Sequence, residues 1–252
     1  MNNYSLLNIF IALLQQFFGV PVLVYHSIGR EREDALAPSV FKKHLDFFKN
    51  ERFTIYSLED LRNLYNKNGR IKYPSVCLTF DDGYADFFDI VYPLLMKYEF
   101  PATVFVIVEK IDSVGYLNQA QLKEISRGGL VTVASHTMGH RDLSLLDSFG
   151  LEYEMLESRK KLELLTGVEV KFLAYPWGIF SPHIRDAANE YGYSAAFSTN
   201  TRLKGEEGKS DILYSIRRIT VSPSDNKLGF IAKASGLALL FPKALVSGAP
   251  HE

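Results

Sequence analysis

The chain has 252 residues, 47% of them hydrophobic, and a formal net charge of −1. That suits one large domain or two small ones with ample core, and leaves no basic footprint for nucleic acid. A single cysteine, Cys77, excludes an internal disulfide; it fits a reducing compartment or a disulfide-free secreted protein, and reads as a small apolar filler within a strand.

Residues 4–18, YSLLNIFIALLQQFF, are apolar, but no Lys or Arg precedes them and Asn8, Gln15 and Gln16 interrupt them. They make a poor signal peptide and are short for a bilayer span. We expect an apolar helix that covers the domain or touches a membrane surface. The stretch from Leu228 to Leu245 is similarly apolar, so the two ends together form a candidate patch facing a membrane or a protein partner. Between them, β-branched and aromatic runs at 22–26, 75–80, 102–107, 130–135, 171–175, 194–198 and 216–221 alternate with amphipathic segments at 39–50, 58–67, 85–98, 118–127, 149–166 and 182–191. Ser57 with Asp60 forms a capping box, Ser181 with Pro182 opens a helix, and Gly192 closes it. This alternation predicts an α/β fold: an irregular, closed or nearly closed (β/α) barrel of about seven parallel strands. We expect an apolar segment over 1–19, the main domain over 20–222 and an apolar extension over 223–252. The polar stretch KGEEGKSD, 204–211, reads as a solvated turn.

In such folds the chemistry sits where strands end. The run VLVYHSIG, 22–29, places His26 at the end of a buried strand, either as a hydrogen-bonded structural group or as a reactive one. In LTFDDGYADFF, 78–88, a buried strand runs into Asp81 and Asp82. Asp-Asp-Gly is also ordinary turn chemistry, but adjacent carboxylates point in different directions, so one can bind a cation while the other stays free. VTVASHTMGHRDLS, 131–144, offers His136 and His140 four apart, either as two ligands for one ion or as loop-capping groups. Together with the Asp pair they supply two histidines and a carboxylate with open coordination positions, as catalytic rather than structural metal sites do. KFLAYPWGIFSP, 171–182, is a proline-fixed turn. It is either simply packed by its aromatics or able to aim the Trp177 N–H at a developing oxyanion while the indole walls a sugar ring.

The motifs TFDDG, HTMGH and YPWG, in this order over about residues 20–222, resemble those of the polysaccharide deacetylases, carbohydrate esterase family 4 or the NodB homology domain. Two departures narrow the likeness. Where the usual third motif has an arginine two residues before its proline, this chain has Ala174, and downstream of His183 the only histidine is His251. The chain looks instead like the circularly permuted branch that includes poly-N-acetylglucosamine deacetylases, whose acid histidine comes from an N-terminal strand. The resemblance implies Asp81 as general base, His26 as general acid, and Asp82, His136 and His140 as ligands of one divalent metal, most often zinc. It further implies Trp177 and Tyr175 at the oxyanion and substrate. Arg218, in SIRRIT, then replaces the missing arginine and keeps Asp81 ionised, with a plain surface pair of Arg217 and Arg218 as the other reading. For His26 to act as an acid, a carboxylate or carbonyl should face its second ring nitrogen.

The implied activity is metal-dependent removal of an N-acetyl group from an amino sugar in a polysaccharide or glycan precursor. The poor signal-peptide pattern leads us to expect a cytoplasmic or membrane-associated setting, with secretion left open. The alternatives are a non-catalytic carbohydrate-binding relative and a non-haem iron enzyme using the same ligand set. The antiparallel sandwich usual for the latter conflicts with the βα alternation here.

Overall fold

The computed structural model describes residues 5–29, 32, 35–66, 69–199 and 212–239. The 204–211 turn, His251 and the part of the C-terminal extension beyond Leu239 lie outside the described residues. Eight strands form one parallel sheet: β1 (Val22–Tyr25), β2 (Thr54–Ile55), β3 (Ser75–Phe80), β4 (Ala102–Val106), β5 (Val131–Ser135), β6 (Phe172–Ala174), β7 (Ala195–Ser198) and β8 (Ile216–Thr220). Strand β1 pairs with β8 on one side (Val22 opposite Arg218) and with β3 on the other (Val22 opposite Cys77), which closes β1, β3, β4, β5, β6, β7 and β8 into a seven-stranded ring. The N-terminal strand is thus the closing stave. Strand β2 lies outside the ring, beside Ser75 and Val76, where β3 runs past the start of β1.

Strands in such a ring are covered on both faces, which is why VLVY, SVCLTF and ATVFV are continuous apolar runs instead of alternating ones. Val22, Cys77, Phe105, Ala134, Phe172, Ala174 and Phe197 pack into one cluster, the barrel interior. Their neighbours in sequence, such as Leu23, Leu78 and Val104, join the larger cluster under the helices. Because side chains alternate along a strand, the parity of Val22, Cys77 and Ala134 carries inward to His26, Asp81 and His136.

The crossovers are α2 (Pro38–Asn50), α3 (Leu58–Asn66), α4 (Tyr92–Tyr98), α5 (Gln119–Gly128), α6 (Ser148–Leu151), α7 (Ser158–Thr166) and α8 (Pro182–Glu190), and α9 (Lys227–Ala234) follows the last strand. The expected starts are present: Ser57 accepts the Asp60 N–H at 3.0 Å, and Ser181 accepts that of Ile184 at 3.3 Å. Three features differ from expectation. Strand β2 has only two residues, too few for a pattern, and α9 lay hidden in a stretch that is apolar without a clear period. The helices expected over 85–98 and 149–166 each contain a π-helical segment, Phe87–Val91 and Glu152–Glu157. The first ends against Pro93, which cannot donate to the carbonyl four residues back.

The apolar N-terminal segment forms α1 (Leu6–Phe18), capped by Ser5. Gln15 is fully buried; its Nε2 donates to the carbonyls of Ser75 and Ala234, and its Oε1 accepts the Ser75 N–H, all at 2.8 Å. Since Ser75 begins β3, α1 lies against the barrel end where the strands start. Its other face leaves Leu6, Ile9, Phe10, Leu13 and Phe17 exposed at helical spacing. No helix among the described residues is long and apolar enough to cross a membrane. Cys77 is buried in β3, as expected of a filler, and burial pushes its thiol well above the usual value.

Candidate active site

At the opposite end, where the strands finish, a cavity of about 140 Å³ is lined by His26, Asp81, Asp82, His136, His140, Tyr175, Trp177 and Arg218. Residues on or just after five different strands line it, and all eight site residues expected from the sequence are among them.

Asp81, which directly follows β3, is 4% exposed. Burial alone would raise its carboxyl. Arg218 on β8 overrides that with two hydrogen bonds, Nη1 to Oδ1 and Nη2 to Oδ2, each 2.7 Å, and the positive charges of His136 and His26 act in the same direction. The carboxyl is held at about 2. Of the two adjacent arginines, Arg218 is the buried one, 3% exposed, with its guanidinium 4.9 Å over the Phe105 ring; Arg217 is exposed. A bidentate fork of this kind leaves Asp81 charged and fixed in direction. Because its folded value lies below its ordinary value of 3.8, the carboxylate adds stability that is fully present above pH 3.8 and is lost as pH falls through about 2.

Asp82 turns away from its neighbour because the backbone enters the left-handed region there (φ 72°) and at Gly83 (φ 75°), where a Cβ would meet Val106 Cγ1 at 3.2 Å. Its carboxylate and the imidazoles of His136 and His140 each present one donor atom, all within 4.8 Å of one another. His136 Nε2 lies 3.6 Å from Asp82 Oδ1 and 3.8 Å from Asp81 Oδ2. His136 Nδ1 bonds the Ala174 carbonyl at 2.9 Å, an acceptor that fixes the tautomer and leaves Nε2 as a donor atom for a cation. Burial, and then the charge of His136, lower His140 to about 4, so it is neutral and able to ligate above that pH. The two rings are T-shaped, 4.7 Å apart. Two imidazoles and one carboxylate on one side of an open cavity fit a divalent ion with free coordination positions.

In the third motif, Trp177 is 47% exposed, takes φ 51°, and sets its indole edge-on to His140 at 4.5 Å. The Tyr175 N–H is taken up by the carbonyl of Phe197 at 3.0 Å, whereas that of Trp177 makes, among the described residues, no backbone hydrogen bond outside its own turn. Tyr175 is buried, stacks on Phe180 at 4.8 Å and donates to the Tyr214 carbonyl at 3.0 Å. His26 is half-buried, just past the end of β1. Among the described residues no carboxylate or carbonyl is hydrogen-bonded to its ring; it lies beside Asp81, because β1 and β3 pair up to Tyr25 opposite Phe80 and the Asp81 N–H donates to the Tyr25 carbonyl at 2.9 Å. That differs from the expectation of a second-nitrogen partner.

Sequence reasoning missed Tyr84 and Thr199 in the cavity lining. Burial and the nearby charge of Asp82 push the Tyr84 phenol well up, and the Arg32 guanidinium sits 4.4 Å over its ring. The signal lay in TFDDGY, where the tyrosine follows directly on the turn.

The chain was compared with known proteins. The polysaccharide deacetylase family model matches residues 68–196. Bacillus subtilis YxkH, named for the same family, is 27% identical over 204 residues, 81% of this chain and 72% of its own length. The poly-beta-1,6-N-acetyl-D-glucosamine N-deacetylase of Staphylococcus aureus is 27% identical over 177 residues, 64% of this chain and 61% of that relative. Among solved structures, the Streptococcus pyogenes deacetylase PplD, in complex with acetate, superposes with a TM-score of 0.73 at 28% identity, covering 81% of this chain and 93% of that one. The closed ring of parallel strands, the cavity at its C-terminal rim and these likenesses agree: the chain belongs to the polysaccharide deacetylase family, hydrolases of carbon–nitrogen bonds other than peptide bonds.

Proposed function

We propose that the protein removes N-acetyl groups from amino-sugar residues of a glycan, using one divalent metal, most simply zinc, held by Asp82, His136 and His140. The observation that carries this reading is the shared cavity: a three-donor set, a carboxylate kept ionised by a buried arginine, and a histidine from the neighbouring strand. When bound, the metal supplies Lewis-acid polarisation of the acetamide carbonyl and lowers the pKa of an attacking water. Asp81, aimed by the Arg218 fork, takes the proton from that water. The Trp177 N–H donates to the developing oxyanion and the half-exposed indole forms a wall for the sugar ring, while the Tyr175 ring, buried against Phe180, supports the turn from behind and does not face the sugar. His26 protonates the departing amine nitrogen, so that the products are acetate and a free amino sugar. We assign the catalytic unit to residues 20–222, from β1 to the end of β8, with 1–19 and 223–252 flanking it.

Purified protein is expected to hold about one divalent ion per chain, removed in Asp82→Ala, His136→Ala and His140→Ala, with activity lost on chelation. Full activity in metal-free protein would sink the proposal. Acetate release from a panel of N-acetylated glycans, poly-N-acetylglucosamine included because the S. aureus relative is named for it, identifies the substrate. No release from any of them would favour the carbohydrate-binding alternative.

The exposed apolar stripe of α1 supports attachment of the barrel's far end to a membrane surface, with the cavity facing away from it. Flotation with lipid vesicles, reduced in the Phe10→Ser/Phe17→Ser double variant, checks this. A protein that stays unbound at every lipid composition contradicts it.

A further inference from the structure

The turn between the two histidines carries two non-glycine residues in the left-handed region, Thr137 (φ 67°) and His140 (φ 59°). Backbone of this kind persists only where its surroundings over-determine it. Part of the restraint is local: Ser135 Oγ accepts the Thr137 N–H and Thr137 Oγ1 accepts the His140 N–H, each at 3.1 Å. The middle of the turn is held from outside. Glu154 Oε2 accepts the Gly139 N–H at 2.8 Å, and the Glu154 carbonyl accepts that of Met138 at 2.9 Å. From the other side, the Glu109 N–H donates to the Met138 carbonyl at 2.9 Å.

Glu154 is 0% exposed and sits in the π-helical segment between α6 and α7. A carboxylate is costly to bury, and its retention there calls for a compensating set of donors. The Gly139 N–H satisfies Oε2, while Oε1 is left without a hydrogen bond and is met only by the charge of Arg141, whose Nε lies 3.2 Å away. The fit leaves no slack at Gly139, where a Cβ would come within 2.7 Å of Glu109 Oε2 and 3.3 Å of Glu154 Oε1. Glu154 does not line the catalytic cavity.

We infer that Glu154 is a positioning residue: its side chain clamps the Thr137–His140 turn, and so sets how His136 and His140 face one another and how tightly they hold a metal. The inference rests on the metal site proposed above. A clamp of this kind acts as outer-shell groups do in metal sites, where loss of a partner weakens binding by about 10- to 100-fold.

The test measures zinc affinity by chelator competition in wild type, Glu154→Ala, Glu154→Gln and Leu162→Ala, together with amide exchange of Gly139 in metal-free protein. Glu154→Ala is expected to weaken zinc about 10- to 100-fold and to speed exchange at Gly139. Glu154→Gln keeps an acceptor for that N–H and should retain most of the affinity. Leu162→Ala, which opens the buried core on α7, should lower the melting temperature but leave zinc affinity unchanged. Should Glu154→Ala not fold, Glu154→Asp, whose shorter side chain draws the acceptor away from Gly139, carries the same expectation. Wild-type affinity and unaltered exchange in the Ala or Asp variant would overturn the inference, as would an equal loss in Leu162→Ala. A wild type that binds no zinc would instead remove the metal reading itself, and the inference with it.

Discussion

Asp81→Asn is expected to keep its metal and to lower kcat by about 10³- to 10⁴-fold, the upper part of what a general base contributes. The amide occupies the same volume but cannot accept a proton from water. The ligand set Asp82, His136 and His140 does not include it, so metal content should stay near that of wild type. The substitution also strips Arg218 of its partner in a site where both groups are almost wholly buried. Removing one member of a buried pair costs about 3–5 kcal/mol, so a lowered melting temperature is part of the expected result. The activity assay must therefore be run well below that temperature. With its carboxyl held at about 2, Asp81 is ionised throughout the range in which the protein can be assayed, and an acidic fall in rate above pH 4 must come from another group. Loss of metal in Asp81→Asn with retention in Asp82→Asn would exchange the two roles.

Much of this arrangement was legible in the sequence, for a physical reason. A strand covered on both faces reads as an unbroken apolar run, so a charged residue directly after one, as in LTFDD or VTVASH, marks a rim. What the sequence does not contain is closure. That β1 pairs with both β3 and β8, and so brings His26 to the same rim as Asp81, is a long-range fact about register. The choice between Arg217 and Arg218 is of the same kind: adjacent residues on a strand face opposite ways, and only the pairing of Val22 with Arg218 decides which one points into the barrel. Glu154 was within reach, because it falls on the stripe Leu151, Met155, Ser158 and Leu162 that buries its helix, and a carboxylate on a buried stripe calls for a partner. The sequence could not supply the partner, the backbone N–H of a turn whose shape local pattern does not encode.

His26→Ala should leave metal content and fold nearly intact while lowering kcat by about 10²- to 10⁴-fold. The imidazole is half-buried on the cavity wall and, among the described residues, makes no hydrogen bond, so its removal breaks no network and opens little core. Its contribution belongs to the reaction. The amine nitrogen leaves only if it is protonated as the tetrahedral intermediate collapses, and His26 is a titratable donor on the cavity wall, on the strand next to that of Asp81. A charged His26 also helps, after Arg218 and His136, to hold Asp81 ionised. The pH profile of kcat separates this from a structural part. In wild type the rate should fall on the alkaline side as His26 loses its proton, and in the variant that limb should vanish while any acidic limb stays. A structural histidine would behave in the opposite way, its loss lowering the melting temperature and leaving the shape of the profile alone. The deciding measurement is kcat against pH for both proteins beside their melting curves. An unchanged kcat in His26→Ala would return the proton donation to another group, with Tyr84 on the same cavity wall the next residue to replace.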